Sequence, residues 1–156
     1  MSAKKLAIIA TKGTLDWAYP PFILASTAAA LGYETRMFFT FYGLQLLRKK
    51  LDLKVSSVGN PAMPMPFPVP VALQAFPGMQ SLMTAMMKKK IRDKGVASIE
   101  ELRELCLEAE VKMVACQMTV DVFGFDNSEF IPEVTDYVGA TSFLPVAQKS
   151  DVCLFI

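Results

Sequence analysis

Apolar residues along this chain fall into two alternating signatures. Short unbroken runs, the mark of strands buried on both faces, are followed by stretches whose apolar positions recur three or four apart, the mark of amphipathic helices. Leu6–Thr11 (LAIIAT) is the first run and predicts a central parallel strand ending in a Thr-Lys-Gly-Thr turn. Pro20 and Pro21 are tolerated only in the first turn of a helix, because the ring clashes with the carbonyl four residues back. The first helix is therefore expected to begin near Tyr19, with Lys12–Ala18 a long loop over the strand end. Phe22, Ile23, Ser26, Ala29 and Ala30 carry its helical spacing, and Gly32 suits the residue just past its end. Tyr33–Thr40 predicts a second strand, and Leu44–Lys50 a short second helix.

The middle of the chain breaks the alternation. Residues 60–77 (NPAMPMPFPVPVALQAFP) hold most of the chain's ten prolines. They exclude regular helix or central strand and favour extended backbone. Met63, Met65, Phe67, Val69 and Val71 make the stretch too apolar for a solvated linker, so it is expected to be an arm lying in a groove, on protein in preference to membrane. A helix follows from Met79, with Leu82, Met83 and Met86 on one face and three lysines, Lys88 to Lys90, near its end, where cations suit the helix dipole. Ser98-Ile99-Glu100-Glu101 reads as a capping box, and Leu102, Leu105, Cys106 and Ala109 form the stripe of the next helix, with Cys106 turned to the core.

Val111–Phe125 (VKMVACQMTVDVFGF) joins the two signatures without a linker. Its apolar run stops at Cys116 and passes straight into helical spacing, so a buried strand is expected to feed a short helix with a thiol at the junction. Asp126–Thr135 reads as a polar connection and Tyr137-Val138-Gly139 as the start of a short strand. Thr141 is expected to cap a helix over Ser142–Lys149, and Asp151–Ile156 to form a last strand, packed on both faces, with Cys153 inside it. Strand and helix alternate, which predicts one three-layer α/β/α domain, doubly wound around a mainly parallel sheet of about five strands.

Composition narrows the chemistry. A chain of 156 residues with 53% hydrophobic and 20% charged residues is a folded domain, not a disordered one. A net charge of +1 offers no basic field for nucleic acid. No run approaches the ~20 apolar residues of a membrane-crossing helix. Three cysteines without a CxxC pair or a secretion signal point to reduced thiols in a cytoplasm. Histidine is absent, which removes Ser-His-Asp and Cys-His catalysis and most zinc sites; no metal or other cofactor is expected. Neither GxGxxG nor GxxxxGK[ST] occurs.

Cys116 is left as the most evident chemical group. A thiol at a strand's carboxyl end, facing the amides of a helix start, is biased towards the thiolate; the alternative is a small packing residue. Lys12 and Thr14, in the loop after the first strand, and Tyr42 and Gly43, after the second, belong to the same sheet edge. Lys12 reads equally well as a solvated loop residue, and Tyr42 as a half-buried aromatic.

Four blocks in this order, TKGTLDWAYPP, FFTFYGL, PGMQSLMTAMMKKKI and ACQMTVDVFGF, resemble the DsrE/DsrF-like family, in its sulfur-handling branch often labelled peroxiredoxin-like. The resemblance spans nearly the whole chain and is weakest over the proline-rich arm. It implies a three-layer α/β fold, assembly into trimers or hexamers, and a cysteine that carries sulfane sulfur as a persulfide. It further implies relay partners such as TusA-type carriers, rhodanese-like proteins and heterodisulfide-reductase-like systems. Cys116 takes the carrier position, and Cys153 matches a second cysteine of some members. Sulfur transfer needs an accessible thiolate and anion-stabilising donors. The expected donors are the backbone amides of Gln117, Met118 and Thr119, helped by Lys12 and Thr14. Two other readings stand beside this one: a non-catalytic small-ligand-binding α/β module using the Thr11–Thr14 loop, and an oligomeric interaction subunit.

Overall fold

The computed structural model describes residues 3–56, 72 and 76–156. The arm expected at 60–77 therefore lies, apart from Ala72, Phe76 and Pro77, outside the described residues. Five strands, β1 (Lys5–Ala10), β2 (Glu34–Phe39), β3 (Lys112–Cys116), β4 (Asp136–Val138) and β5 (Val152–Phe155), form one sheet in the order β4-β3-β2-β1-β5. All neighbouring strands are parallel. Parallel strands need crossovers, and the helices supply them: α1 (Leu15–Ala30), α2 (Met79–Asp93), α3 (Ile99–Glu108), α4 (Gln117–Phe123) and α5 (Ala140–Gln148).

Strand alternation sorts the side chains into two cores. Leu6, Ile8, Met37, Phe39, Met113 and Ala115 point to the face covered by α1 and α3 and form the large core with Phe22, Ala25, Leu102 and Cys106. Ala7, Phe38, Val114 and Cys116 point the other way and meet Phe143 and Ala147 of α5. Phe38 and Phe143 stack there with ring centroids 4.6 Å apart. The chain steps from β1 to β4 in one direction, then returns across the second face through α5 to place β5 beside β1. That return makes the sheet doubly wound.

Several local expectations are corrected. α1 starts at Leu15, not near Tyr19, and holds both prolines inside it. Its first turn is fixed by tertiary contacts: Leu15 is buried and donates its N–H to the Lys54 carbonyl (2.8 Å), and the Asp16 carboxylate accepts from the Ser56 amide (2.8 Å) and hydroxyl (2.6 Å). Those bonds hold the first turn in place against the cost, ~3 kcal/mol typically, of each proline inside a helix. The expected helix over Leu44–Lys50 is a 3₁₀ helix over Phe41–Leu47. α2 buries Met83 but leaves Leu82 56% and Met86 49% exposed, so the expected stripe does not face the core. In α3, Leu105 and Ala109 are exposed while Arg103 is buried. Arg103 donates from Nη1 to the carbonyls of Leu46 (3.0 Å) and Arg48 (2.8 Å), an end to the 3₁₀ helix that apolar periodicity does not reveal.

The connection after α4 is less polar than its composition suggests: Phe130, Ile131 and Val134 are buried. Gly139, not Thr141, stands at the start of α5. β5 is an edge strand, and Val152, Cys153 and Phe155 are exposed, contrary to the expectation of a strand packed on both faces. A short apolar run has the same appearance in sequence whether one neighbour or two flank it. The capping box of α3 forms as expected, with Ser98 Oγ accepting from the Glu101 amide (3.2 Å) and the Glu101 carboxylate accepting from the Ser98 amide (2.7 Å).

Candidate functional site

Cys116 is the last residue of β3 and the residue immediately before α4. The sequence leads directly from strand to helix there because the buried run Met113–Ala115 needs the sheet and Thr119 and Val120 need the core one turn later. A residue in this position presents its side chain to the amides two and three residues ahead. The Cys116 sulfur accordingly faces the amides of Met118 and Thr119 and the hydroxyls of Thr119 and Thr40. None of these reaches full hydrogen-bond geometry on the sulfur in the resting thiol. Burial raises the thiol's pKa, but the donors outweigh it and leave the pKa below the ordinary cysteine value.

The firm bonds of the site lie one step behind the sulfur. Thr40, at the end of β2, and Thr119 share a hydrogen bond of 3.2 Å between their hydroxyls. Thr119 Oγ1 also accepts from the Phe41 amide at 3.2 Å. Phe41 adopts φ 48°, the left-handed region that a bulky residue seldom occupies. Two glycines allow the neighbouring loops to meet closely enough for this. A Cβ on Gly13 would lie 2.1 Å from the Tyr42 carbonyl oxygen, and one on Gly43 2.2 Å from that of Ala10. Gly43 also donates its N–H to the Thr11 carbonyl (3.1 Å).

Around the junction lies an exposed apolar rim. Tyr42 stacks on Phe123 (centroids 5.8 Å), Phe41 meets Phe123 edge-on (6.2 Å), and Met118 and Val122 are exposed beside them on α4. Cys116 itself is 3% exposed, which corrects the expectation of an accessible thiol. Its place at the end of the strand agrees with that expectation; it pairs with Val138 of β4 and shares a buried cluster with Phe38, Val114 and Phe143.

The other expected site residues divide. The backbone amides of Met118 and Thr119 face the sulfur and that of Gln117 is not among them; the Gln117 side chain donates from Nε2 to Asp121 Oδ1 at 2.8 Å. Tyr42 joins the rim and Gly43 supports it. Lys12 Nζ lies 3.2 Å from the centroid of the Trp17 ring, and among the described residues neither Lys12 nor Thr14 donates to the sulfur. Thr14 Oγ1 is buried with no hydrogen bond among the described residues, though it lies near enough to Asp16 to help lower that carboxyl's pKa. Thr14 lines a separate groove of about 370 Å³ with Gln45, Arg48, Lys50 and Lys54. Thr40, Phe41 and Phe123 were not singled out in the sequence. Thr40 was legible only as the polar residue closing an apolar run, and the turn at Phe41 has no sequence signature.

The remaining cysteines are far from this arrangement. Cys106 is fully buried, its Sγ 3.6 Å from the Phe22 carbonyl, and burial pushes its pKa up to about 11. Cys153 pairs with Ala7, which pairs with Arg36, which pairs with Lys112. It thus sits four residues below Cys116 in register and three strands away, about 13 Å along the sheet and about 14 Å across it. A disulfide between them, which needs Cα atoms within about 7 Å, is excluded in this fold.

Among known proteins, the chain is 67% identical to the sulfur carrier protein DsrE2 of Allochromatium vinosum, over the full length of both. It is 31% identical to the uncharacterized protein YrkE of Bacillus subtilis, over 98% of this chain and 97% of that one. The crystal structure of the ychN protein from E. coli superposes with a TM-score of 0.56 at 12% identity, covering 98% of this chain and 99% of that one, a likeness of fold alone. The model of the DsrE/DsrF/DrsH-like family matches residues 2–155. The chain belongs to the DsrE/DsrF/DrsH-like family.

Proposed function

We propose that this protein is a sulfur carrier that holds sulfane sulfur as a persulfide on Cys116 and passes it between proteins of a relay. The observation that carries the reading is the thiol at the end of β3, standing where α4 begins, in a chain 67% identical to a named sulfur carrier. Loading is a nucleophilic displacement. The Cys116 thiolate attacks the outer sulfur of a donor persulfide, a new S–S bond forms, and the donor's S–S bond breaks with its electron pair leaving on the donor thiolate. Unloading is the same step with an acceptor thiolate attacking the outer sulfur. Neither step has a net change of oxidation state, and neither calls for histidine, metal or another cofactor.

The exposed rim of Phe41, Tyr42, Met118, Val122 and Phe123 is the surface on which a TusA-type or rhodanese-like carrier would dock. Docking there would have to displace the cover over a thiol only 3% exposed. The working form is a homo-oligomer in a reducing cytoplasm. The test is exchange with a persulfidated carrier protein, read by intact mass. The wild type and Cys153→Ser gain one sulfur atom, and Cys116→Ser gains none. Uptake by Cys116→Ser equal to wild type would overturn the assignment.

A second reading draws on the groove lined by Thr14, Gln45, Arg48, Lys50, Asp52 and Lys54, where Lys50 and Lys54, beside Arg48 paired to Glu129, outnumber the one lining carboxylate and suit a small anionic ligand. In that case ligand binding survives Cys116→Ser unchanged.

A further inference from the structure

The two hydroxyls behind Cys116 come from different elements, and their protons can be counted. Each hydroxyl has one proton and two lone pairs. The Phe41 amide occupies one lone pair of Thr119 Oγ1. The 3.2 Å bond between Thr40 and Thr119 consumes one of the two hydroxyl protons, whichever residue donates it. One O–H is therefore left over, in a site where Thr119 is 2% exposed. Thr40 continues the register that pairs Phe39 with Ala115 and so stands beside Cys116, while Thr119 is the third residue of the helix that Cys116 caps, which brings both hydroxyls to the Cys116 sulfur.

We propose that Thr40 and Thr119 act as a coupled hydroxyl pair that supplies the Cys116 sulfur with one O–H donor whichever way their shared bond runs, and that the left-handed turn at Phe41 holds the pair in place. This rests on the carrier reading of Cys116. The spare donor is poorly matched to a neutral thiol, which accepts weakly, and well matched to a thiolate. It therefore tightens on the sulfur as negative charge develops there.

The consequence falls mainly on unloading. In a persulfide the charge sits on the outer sulfur, about 2 Å beyond the inner one. When an acceptor thiolate takes that outer sulfur, the S–S bond to Cys116 breaks and its electron pair returns to the Cys116 sulfur, beside the spare donor. A better stabilised leaving thiolate departs faster. The backbone amides alone cannot supply this selectivity through Thr40, which comes from another strand.

The test uses the full chain in a Cys153→Ser background, where Cys116 is the one thiol that is neither removed nor fully buried. Alkylation rate is followed against pH for the parent, Thr119→Val, Thr40→Val and the corresponding serine variants. Both valine variants are expected to move the titration midpoint up and to hold roughly tenfold less thiolate at fixed pH below it. Both also release sulfur more slowly to a small thiol acceptor, and both serine variants behave as the parent. A merely structural role would change how often the thiol is uncovered, and so the rate, without moving the midpoint. Should Thr119→Val not fold, Thr40→Val carries the same expectation from the other side of the bond. Valine variants that titrate with the parent, while Cys116 still takes up sulfur, overturn the pair and leave the carrier reading standing. Shifted midpoints with no sulfur on Cys116 overturn the carrier reading and leave the pair standing. A shift in Thr119→Val but not in Thr40→Val overturns the coupling.

Discussion

Three cysteines in one small domain meet three different fates, and environment decides each. Cys106 faces the carbonyl of Phe22 in the dry core between α1 and α3 and is held protonated. Its raised pKa has a sign that can be tested. The unfolded chain loses this proton near pH ~8.5, whereas the folded chain keeps it to about 11. The Cys106 contribution to stability is therefore complete below the unfolded value and is lost as pH rises through the window up to about 11. Denaturant titrations are expected to show Cys106→Ala with a shallower fall in stability across that window than wild type, and native Cys106 should resist alkylation. Cys116 is the opposite case, shifted down by donors from two elements. The helical spacing around Cys106 and the strand–helix junction at Cys116 made the places of these two thiols in the fold readable in the sequence. The burial of Cys116 was not readable, because it is packed in a cluster with Phe38, Val138 and Phe143, residues distant from it in sequence.

Elements were legible where periodicity was long and misread where a tertiary contact overruled a local rule. The strands and the capping box of α3 follow from pattern alone. The start of α1 does not, since Asp16 reaches forward to Ser56 and Leu15 to Lys54. Ser98→Ala removes one half of the capping box and is expected to cost about 1 kcal/mol in equilibrium unfolding. Arg103→Met strips a donor from the carbonyls of Leu46 and Arg48, an expected loss of ~1–3 kcal/mol that apolar patterning of α3 would not forecast. Gly43→Ala drives a methyl into the Ala10 carbonyl, a backbone atom that cannot rotate away. Overpacking of this kind costs about 1–3 kcal/mol, and here it should also displace Phe41 from the Thr119 hydroxyl. Thermal unfolding of Gly43→Ala should show the loss, with a Cys116 titration altered in the same variant.

At the scale of the molecule, the sheet is covered thickly on one face and thinly on the other. β5 at the edge leaves Phe155 75% exposed, and Leu24, Leu82 and Leu144 lie exposed on three different helices. A monomer that kept all these in water would be prone to association, so light scattering at micromolar concentration is expected to return a closed homo-oligomer. A monomeric mass would contradict that expectation. The alternation of runs and helical stretches foretold the parallel α/β sheet, but not which strand forms its edge, because that depends on where α5 returns the chain. This return also separates Cys153 from Cys116, so the two thiols offer a clean contest. Load the reduced protein with polysulfide, block remaining thiols, digest, and map the added sulfur by peptide mass. If Cys116 is the carrier, the sulfur is found on the peptide containing Cys116, with Cys153 largely in its blocked form; sulfur mainly on Cys153, with Cys116 free, would contradict that role.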